Sequence, residues 1–294
     1  MSAGQPLVSI VIPCYRGARF LPEAIESCLR QQYANLEMIV VDDASPDDCA
    51  EIAARFAATD PRVRVLRLAE NRGVAGAFNA GYHAARGEFF TRLAQDDLFR
   101  EDALLSMVGY LGENPDIGLV YCDMQLIDRD GRVLREVRTP ETDDALVGGN
   151  KIGLCVMWRR AVWGQTGEFR SEFDSAEDYD YWVRVKRRFR VARCPCGAPF
   201  FFREHETMGS REFSAKQEVL AAQIKAESCA TGILARRKIL ARGHFNAAFN
   251  LREQGRYGDS LRHLVASAGQ WPFWAKPYRC ALGLLRDSLR QRKI

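Results

Sequence analysis

Leu7-Val-Ser-Ile-Val-Ile-Pro-Cys-Tyr-Arg-Gly17 is the stretch that decides the fold. Leu7 to Ile12 is apolar but for Ser9, the pattern of a strand covered on both faces rather than one. Pro13 and Gly17 end it. Downstream, Phe20, Leu21, Ala24, Ile25, Cys28 and Leu29 share one face of a helix predicted over Phe20 to Gln31. Glu37-Met-Ile-Val-Val41 repeats the buried-strand pattern and ends at Asp42-Asp43-Ala44-Ser45. Ser45-Pro46 reads as an N-cap with Pro at the first helical position, opening a helix to about Ala58. Val63 to Leu68 is a third strand, Gly73 to Ala85 a helix, and Gly87 to Leu93 a fourth strand.

Strands alternating with helices at this spacing predict an α/β fold: a mostly parallel central sheet flanked by helices, Rossmann-like. In such sheets function collects in loops at the carboxyl ends of the strands. Cys14-Tyr15-Arg16, Asp42-Asp43 and Gln95-Asp96-Asp97 fall in those loops. Further on, Ile117 to Cys122 reads as a strand and Met124 to Val137 as a hairpin turning at Asp130-Gly131. Lys151 to Trp158 and Pro199 to Arg203 read as strands, and Gly167 to Tyr179 as a loop feeding a helix from Asp178 to Arg188. From Ser214 the chain reads as helical, with breaks near Gly243, Gly255 to Gly258 and Trp271-Pro272. Phe245 to Leu251 with Tyr257 to Leu264 resembles a single tetratricopeptide-like hairpin; one copy makes an accessory, not an array. The expected division is a catalytic domain over 1–212 and a helical C-terminal extension over 213–294.

The chain has 294 residues, 47% hydrophobic and 27% charged, enough to bury a core without disulfides or a structural metal. Its net charge of +4 is small, but arginines and lysines crowd the last third, from Arg236 to Lys293. A basic tail suits an anionic membrane surface, nucleic acid or a solvated helix face. Leu282, Leu285 and Leu289 recur at helical spacing beside Trp271-Pro-Phe-Trp274. This leaves membrane contact, packing on the catalytic domain, or pairing of two copies as readings of the tail. The nine cysteines are scattered, and Cys194-Pro-Cys196 is their one close pair. The absence of Cys-x-x-Cys argues against a zinc ribbon, and cysteines such as Cys28 and Cys122 read as small buried hydrophobes in a reducing cytoplasm. No run is long and apolar enough for a signal peptide or a membrane span.

Three acidic pairs could carry chemistry. Asp96-Asp97 suits a hard divalent cation, or simply caps a helix. Asp43 suits a base ring N–H or a ribose hydroxyl, or again a cap. Glu177-Asp178 suits a general base, or merely complements a helix dipole. Each pair is ambiguous alone.

Their order is not. Val8-Ser-Ile-Val-Ile-Pro-Cys-Tyr15, Cys28-Leu-Arg-Gln-Gln32, Glu37 to Ser45, Asn71-Arg-Gly73, Asn79-Ala-Gly81, Ala85-Arg-Gly-Glu88, Ala94-Gln-Asp-Asp97, Gly167-Glu-Phe169 and Glu177-Asp-Tyr-Asp-Tyr-Trp182 follow one another. This ordered set, over about residues 7 to 210, resembles glycosyltransferase family 2, inverting enzymes with the A-type nucleotide-sugar-binding fold. The resemblance implies that Asp43 meets the nucleotide base, with Pro13 and Tyr15 lining the same pocket. It implies Asp97 as metal ligand, Asp96 as ribose or metal contact, and His205 near phosphate or metal. Asp178 would be the catalytic base with Glu177 beside it. Asn71, Arg72, Asn79, Trp182 and Arg203 would line the substrate site. Mg2+ or Mn2+ is the implied cofactor. The implied partners are a nucleotide-sugar donor, with UDP or dTDP favoured, and a glycan or lipid-linked acceptor of the cell envelope; no nucleic acid is expected. The expected place is the cytoplasm, including the inner face of the membrane. Two positions depart from the family pattern: Ala94 replaces a further acid, and Phe78 replaces an Arg whose donor contact is then either missing or supplied by Arg72. The rival reading is an inactive transferase-like nucleotide-binding protein that uses its helical tail for interactions. A nucleotidyltransferase fits less well, because Pro13-Cys-Tyr-Arg-Gly17 has one glycine where that class places a glycine-rich loop.

Overall fold

The computed structural model describes residues 4–141, 146, 149–205, 214–229 and 232–291, with all side chains in these segments but those at 229, 283 and 285–291. The chain forms two compact units, Met1–His205 and Glu206–Ile294. The boundary expected near 212 falls among residues 206–213, outside the described residues.

In the first unit the opening stretch forms β1 (Val8–Cys14), and α1 (Leu21–Leu29) and β2 (Leu36–Asp42) follow. Next come α2 (Cys49–Thr59), β3 (Val63–Arg67), α3 (Gly73–Ala84) and β4 (Phe89–Arg92). The short β5 (Leu98–Phe99) leads to α4 (Ala103–Glu113), β6 (Ile117–Tyr121) and a hairpin of β7 (Met124–Ile127) and β8 (Val133–Val137). Then follow β9 (Val156–Arg159), α5 (Arg160–Thr166), α6 (Glu177–Lys186), β10 (Arg190–Arg193) and β11 (Phe200–Arg203).

A seven-stranded sheet has the order β10-β6-β9-β4-β1-β2-β3, and a four-stranded sheet the order β5-β11-β7-β8. In the large sheet β1 runs parallel to β2 and β4, and β6 to β10. Only β9 is antiparallel to its neighbours, β4 and β6. The predicted α/β architecture is therefore observed.

Strand alternation explains the uninterrupted apolar runs. Val8, Ile10 and Ile12 of β1 and Met38 and Val40 of β2 join the core with α1, α2 and α4. Val11 and Val41 point to the opposite face, where α3 packs so closely that a methyl group at Gly81 would overlap Val11. That face also holds an aromatic cluster: Tyr82 lies against Phe90, Trp158, Trp163 and Phe169, and Tyr181 against Phe169 and Trp182. At the amino end of the sheet, buried Glu37 accepts from Ser9 Oγ (2.7 Å), Arg86 N (2.6 Å) and Arg64 Nη1 (2.9 Å). Those bonds outweigh burial and lower its carboxyl below the ordinary value.

Two local expectations are corrected. Ser45 does not cap α2, which starts at Cys49 after Asp48. Its hydroxyl instead accepts from Arg16 N (2.8 Å) and donates to Asp47 Oδ1 (2.6 Å), tying two loops together. The strand expected over Lys151 to Trp158 begins only at Val156.

The second unit holds α7 (Ser214–Cys229), α8 (Ile233–Glu253), α9 (Tyr257–Gln270) and α10 (Ala275–Gln291). The hairpin expected around Gly255 is present as α8 and α9, and Gly255 takes the left-handed φ of +73° that ends α8. Ser260 Oγ and Ser267 Oγ donate to Ala248 O and Ala241 O, at 2.7 Å each, fixing α9 on α8. The break expected near Gly243 does not occur. Gly243 lies inside α8, where a side chain would overlap Ala222 of α7, so it serves close helix packing. Leu284 of α10 is buried with Ala248 and Leu264, while Leu282 is exposed. Among the described residues no helix is long and apolar enough to cross a membrane.

Candidate active site at the carboxyl end of the sheet

β1, β2 and β4 run parallel, so the loops leaving them open on one edge. Asp43 follows β2. Arg72 N donates to its Oδ1 (2.7 Å), and Asn71 Nδ2 donates to its carbonyl (3.2 Å). Burial raises its carboxyl; the amides of Arg72 and Gly73 pull it back, and Asp174 and Asp42 add to the rise. The β1 loop is pinned to the β4 loop by a reciprocal pair. Tyr15 N donates to Gln95 Oε1 (2.9 Å), and Gln95 Nε2 donates to Tyr15 O (3.0 Å). A side chain at Gly17 would push the Gln95 amide out of this pairing. Pro13 is partly buried and the Tyr15 ring is 38% exposed. Among the described residues, the non-glycine positive φ angles are those of Arg16, Ala44 and Ser175, at +54°, +53° and +88°. All three lie in these loops or just before α6.

Asp96 and Asp97 differ. Asp97 is 1% exposed, accepts from Arg203 N at Oδ1 (3.0 Å), and leaves Oδ2 buried without a partner. Burial, then the neighbouring Asp96, hold its carboxyl well above the ordinary range. Asp96 is partly exposed and its Oδ2 meets His205 Nε2 at 2.8 Å; the imidazole lies 4.8 Å from the Phe20 ring. Among the described residues, Asp96, Asp97 and His205 do not bring three ligand atoms together.

Glu177 and Asp178 open α6. Glu177 is buried, and burial followed by Asp178 raises its carboxyl to about 7, against the pull of Arg92. Asp178 is partly exposed and accepts from Asn150 Nδ2 (2.7 Å).

Arg92, the last residue of β4, was not anticipated. It is 7% exposed, lies 3.6 Å from Glu177 Oε1, stacks 4.4 Å over the Phe78 ring, and leaves Nη1 without a partner. Its charge also acts on Asp97. A cation inside the apolar run Phe89 to Leu93 was the available signal, since a buried guanidinium needs carboxylates around it. Asp174, which accepts from Ala75 N (3.1 Å), is a second unanticipated acid. At the amino end the buried Glu37 carboxylate is fully paired, whereas here Asp97 Oδ2 and Arg92 Nη1 are not.

Three expected substrate contacts are corrected or redirected. Trp182 is buried in the aromatic cluster with Trp158, Phe169 and Tyr181, so it builds the core and does not line the site. Arg203 is 1% exposed and its guanidinium donates to Asp96 O (2.9 Å), Arg129 O (2.9 Å) and Glu23 Oε2 (2.7 Å), so it holds the acidic loop. Asn79 exchanges two 2.9 Å bonds with the backbone of Phe169 and thereby positions the loop before α6.

A family model described as glycosyl transferase family 2 matches residues 9–162, just over half of the chain. An uncharacterized glycosyltransferase of Rickettsia bellii is 31% identical over 234 residues, covering 74% of this chain and 33% of its own length. This chain thus spans about a third of that relative. TarS 1-349 of S. aureus in complex with UDP-GlcNAc aligns with a TM-score of 0.65 at 18% identity, over 90% of this chain and 81% of that one. The mannosyltransferase PcManGT of Pyrobaculum calidifontis in complex with GDP-Man and Mn2+ gives 0.59 at 19%, over 99% and 81%. At such identities these likenesses establish the fold, the A-type glycosyltransferase fold. With the family match across β1 to α5, the chain belongs to glycosyl transferase family 2.

Proposed function

We propose that this chain moves a sugar from a UDP- or dTDP-sugar to a hydroxyl of a cell-envelope glycan or lipid-linked acceptor, with inversion. The observation that carries this reading is the gathering of Asp43, Asp96-Asp97 and Glu177-Asp178 at one end of the sheet in a family 2 chain. Solved proteins of the same fold hold UDP-GlcNAc or GDP-Man, which supports a nucleotide-diphosphate donor.

Asp43, with Pro13 and Tyr15, is assigned to the base, supported by Asn71 and Arg72. Asp96 is assigned to the ribose or the metal. Asp178 is the base: it is the accessible member of its pair, and Asn150 fixes its carboxylate. It takes the proton of the acceptor hydroxyl, whose oxygen attacks the anomeric carbon opposite the diphosphate. Glu177 and Arg92 lie behind it and set its electrostatic surroundings.

The residues fit Mg2+ or Mn2+. Asp97 Oδ2 is a buried oxygen without a partner, and the neighbouring Asp96 adds a second hard carboxylate, itself held by His205. Bound there, such a cation would neutralise the departing diphosphate, with phosphate and water oxygens completing its shell. The second unit is assigned to acceptor or membrane contact at the inner face of the membrane, or to pairing of two copies. Phe273 is 89% exposed, and Lys225, Lys238, Arg242 and Lys276 line a cavity of about 400 Å³ with Trp271 and Trp274. A flotation assay with anionic vesicles tests the membrane part: intact protein left at the bottom of the gradient removes it.

The decisive experiment is a thermal-shift screen of nucleotide sugars with Mn2+ or Mg2+. A stabilising donor is expected, and Asp97→Ala should abolish its metal-dependent part. No shift with any donor would sink the reading. A donor that binds but is never transferred would favour the inactive nucleotide-binding protein.

A further inference from the structure

We propose that Cys122, Cys194 and Cys196, with a solvent oxygen as fourth donor, form a thiolate site for a zinc ion that clips the edge of the large sheet to the strand carrying Arg203. Cys122 follows β6, Cys155 precedes β9, and Cys194-Pro-Cys196 follows β10. Backbone bonds hold these segments together: Cys122 N donates to Cys155 O (3.0 Å) and Cys194 N to Tyr121 O (2.8 Å). The sulfurs of Cys122, Cys194 and Cys196 lie within 4.8 Å of one another, and those of Cys122 and Cys196 are 3.4 Å apart. Cys155 lies against Cys122 but outside this group of three. Tetrahedral zinc with sulfurs at ~2.3 Å needs sulfurs ~3.8 Å apart, within the span observed.

Cysteines that serve only as small hydrophobes have no reason to face one another. Cys14 and Cys49 also touch, but as a pair, and Cys49 Sγ already accepts from Gly17 N (3.4 Å). In the cluster Cys122 and Cys194 are buried, and Cys196 is partly accessible, giving an ion a way in. Each coordinating thiol would release its proton to solvent, leaving a negative centre. The Arg100 guanidinium, paired with Asp102 (2.6 Å), lies at the same segment and donates to Cys196 O (3.1 Å) and Ala198 O (3.3 Å). Gly197, with φ of +72°, turns the chain directly into β11. An ion there would therefore anchor the base of the strand whose far end binds Asp97 and whose next residues reach His205.

The test is native mass spectrometry of the full chain, reduced, loaded with Zn2+ and desalted. One zinc per chain is expected. Cys122→Ser and Cys196→Ser should each lose it by tenfold or more in affinity, while Cys280→Ser and Asp96→Asn retain it. Absence of zinc, zinc that survives Cys196→Ser, or zinc lost with Asp96→Asn overturns the proposal. So does a Cys122–Cys196 disulfide in place of the ion. Should the serine variants not fold, Co2+ loading of the unaltered chain decides: a thiolate-to-cobalt charge-transfer band is expected, and its absence is disproof.

Discussion

Glu177→Gln should flatten part of the pH dependence of stability. Burial and Asp178 raise the Glu177 carboxyl from 4.5 to about 7 in the folded chain. Between those values the folded state binds a proton that the unfolded state has released. The contribution is thus fully present below about 4.5, is lost as the pH rises through about 7, and stays lost above it. Each pH unit of that interval is worth about 1.4 kcal/mol, so the loss amounts to about 3 kcal/mol. Glutamine keeps the shape and the hydrogen-bonding capacity but cannot ionise. The pull of Arg92 on the charged carboxylate is already contained in the Glu177 value of about 7. Asp97 and Asp43 titrate in both proteins and cancel in the difference. Urea unfolding at several pH values from 4.5 to 8.5 gives both curves. The gap between variant and parent should move by about 3 kcal/mol in favour of the variant across the range. Parallel curves would show that Glu177 does not titrate upward, and the account of a desolvated carboxylate beside Arg92 would be wrong.

Asp178→Asn should retain donor binding by thermal shift but lose transfer by about 10²- to 10⁴-fold, the usual worth of a general base; transfer at the parental rate would refute the assignment. Gly17→Ala should displace Gln95 and break its two bonds to Tyr15, raising the donor KM. Combined with Gln95→Ala it should add little, and full additivity in a double-mutant cycle would deny the coupling. Gly243→Ala should destabilise the second unit by about 1–3 kcal/mol through overlap with Ala222, measured by urea unfolding of the whole chain. An unchanged or raised midpoint would mean that α7 and α8 do not approach so closely.

Much of the fold was readable from the chain. The apolar run before Pro13 and its repeat before Asp42 announced strands buried on both sides, because periodicity and length are local properties. The β8 hairpin was equally legible from Asp130-Gly131. What failed was local chemistry that tertiary partners had taken over: Ser45 bonds Arg16 and Asp47 instead of capping, and Gly243 makes room for Ala222 instead of breaking a helix.

The site divides the same way. Residue order alone picked out Asp43, Asp96, Asp97, Glu177 and Asp178, since a family pattern is written in one dimension. It could not tell which of them face solvent. Only the folded chain decided that Asp97 is buried with an orphaned oxygen while Asp96 is the accessible partner of His205. Only the folded chain turned Arg203 and Asn79 into supports and sent Trp182 into the core. It also brought Arg92 against Glu177, and three cysteines spread from 122 to 196 into one cluster. Burial, pairing and convergence are properties of what lies across space, and residues as far apart as Asp96 and His205 meet only after the sheet has formed.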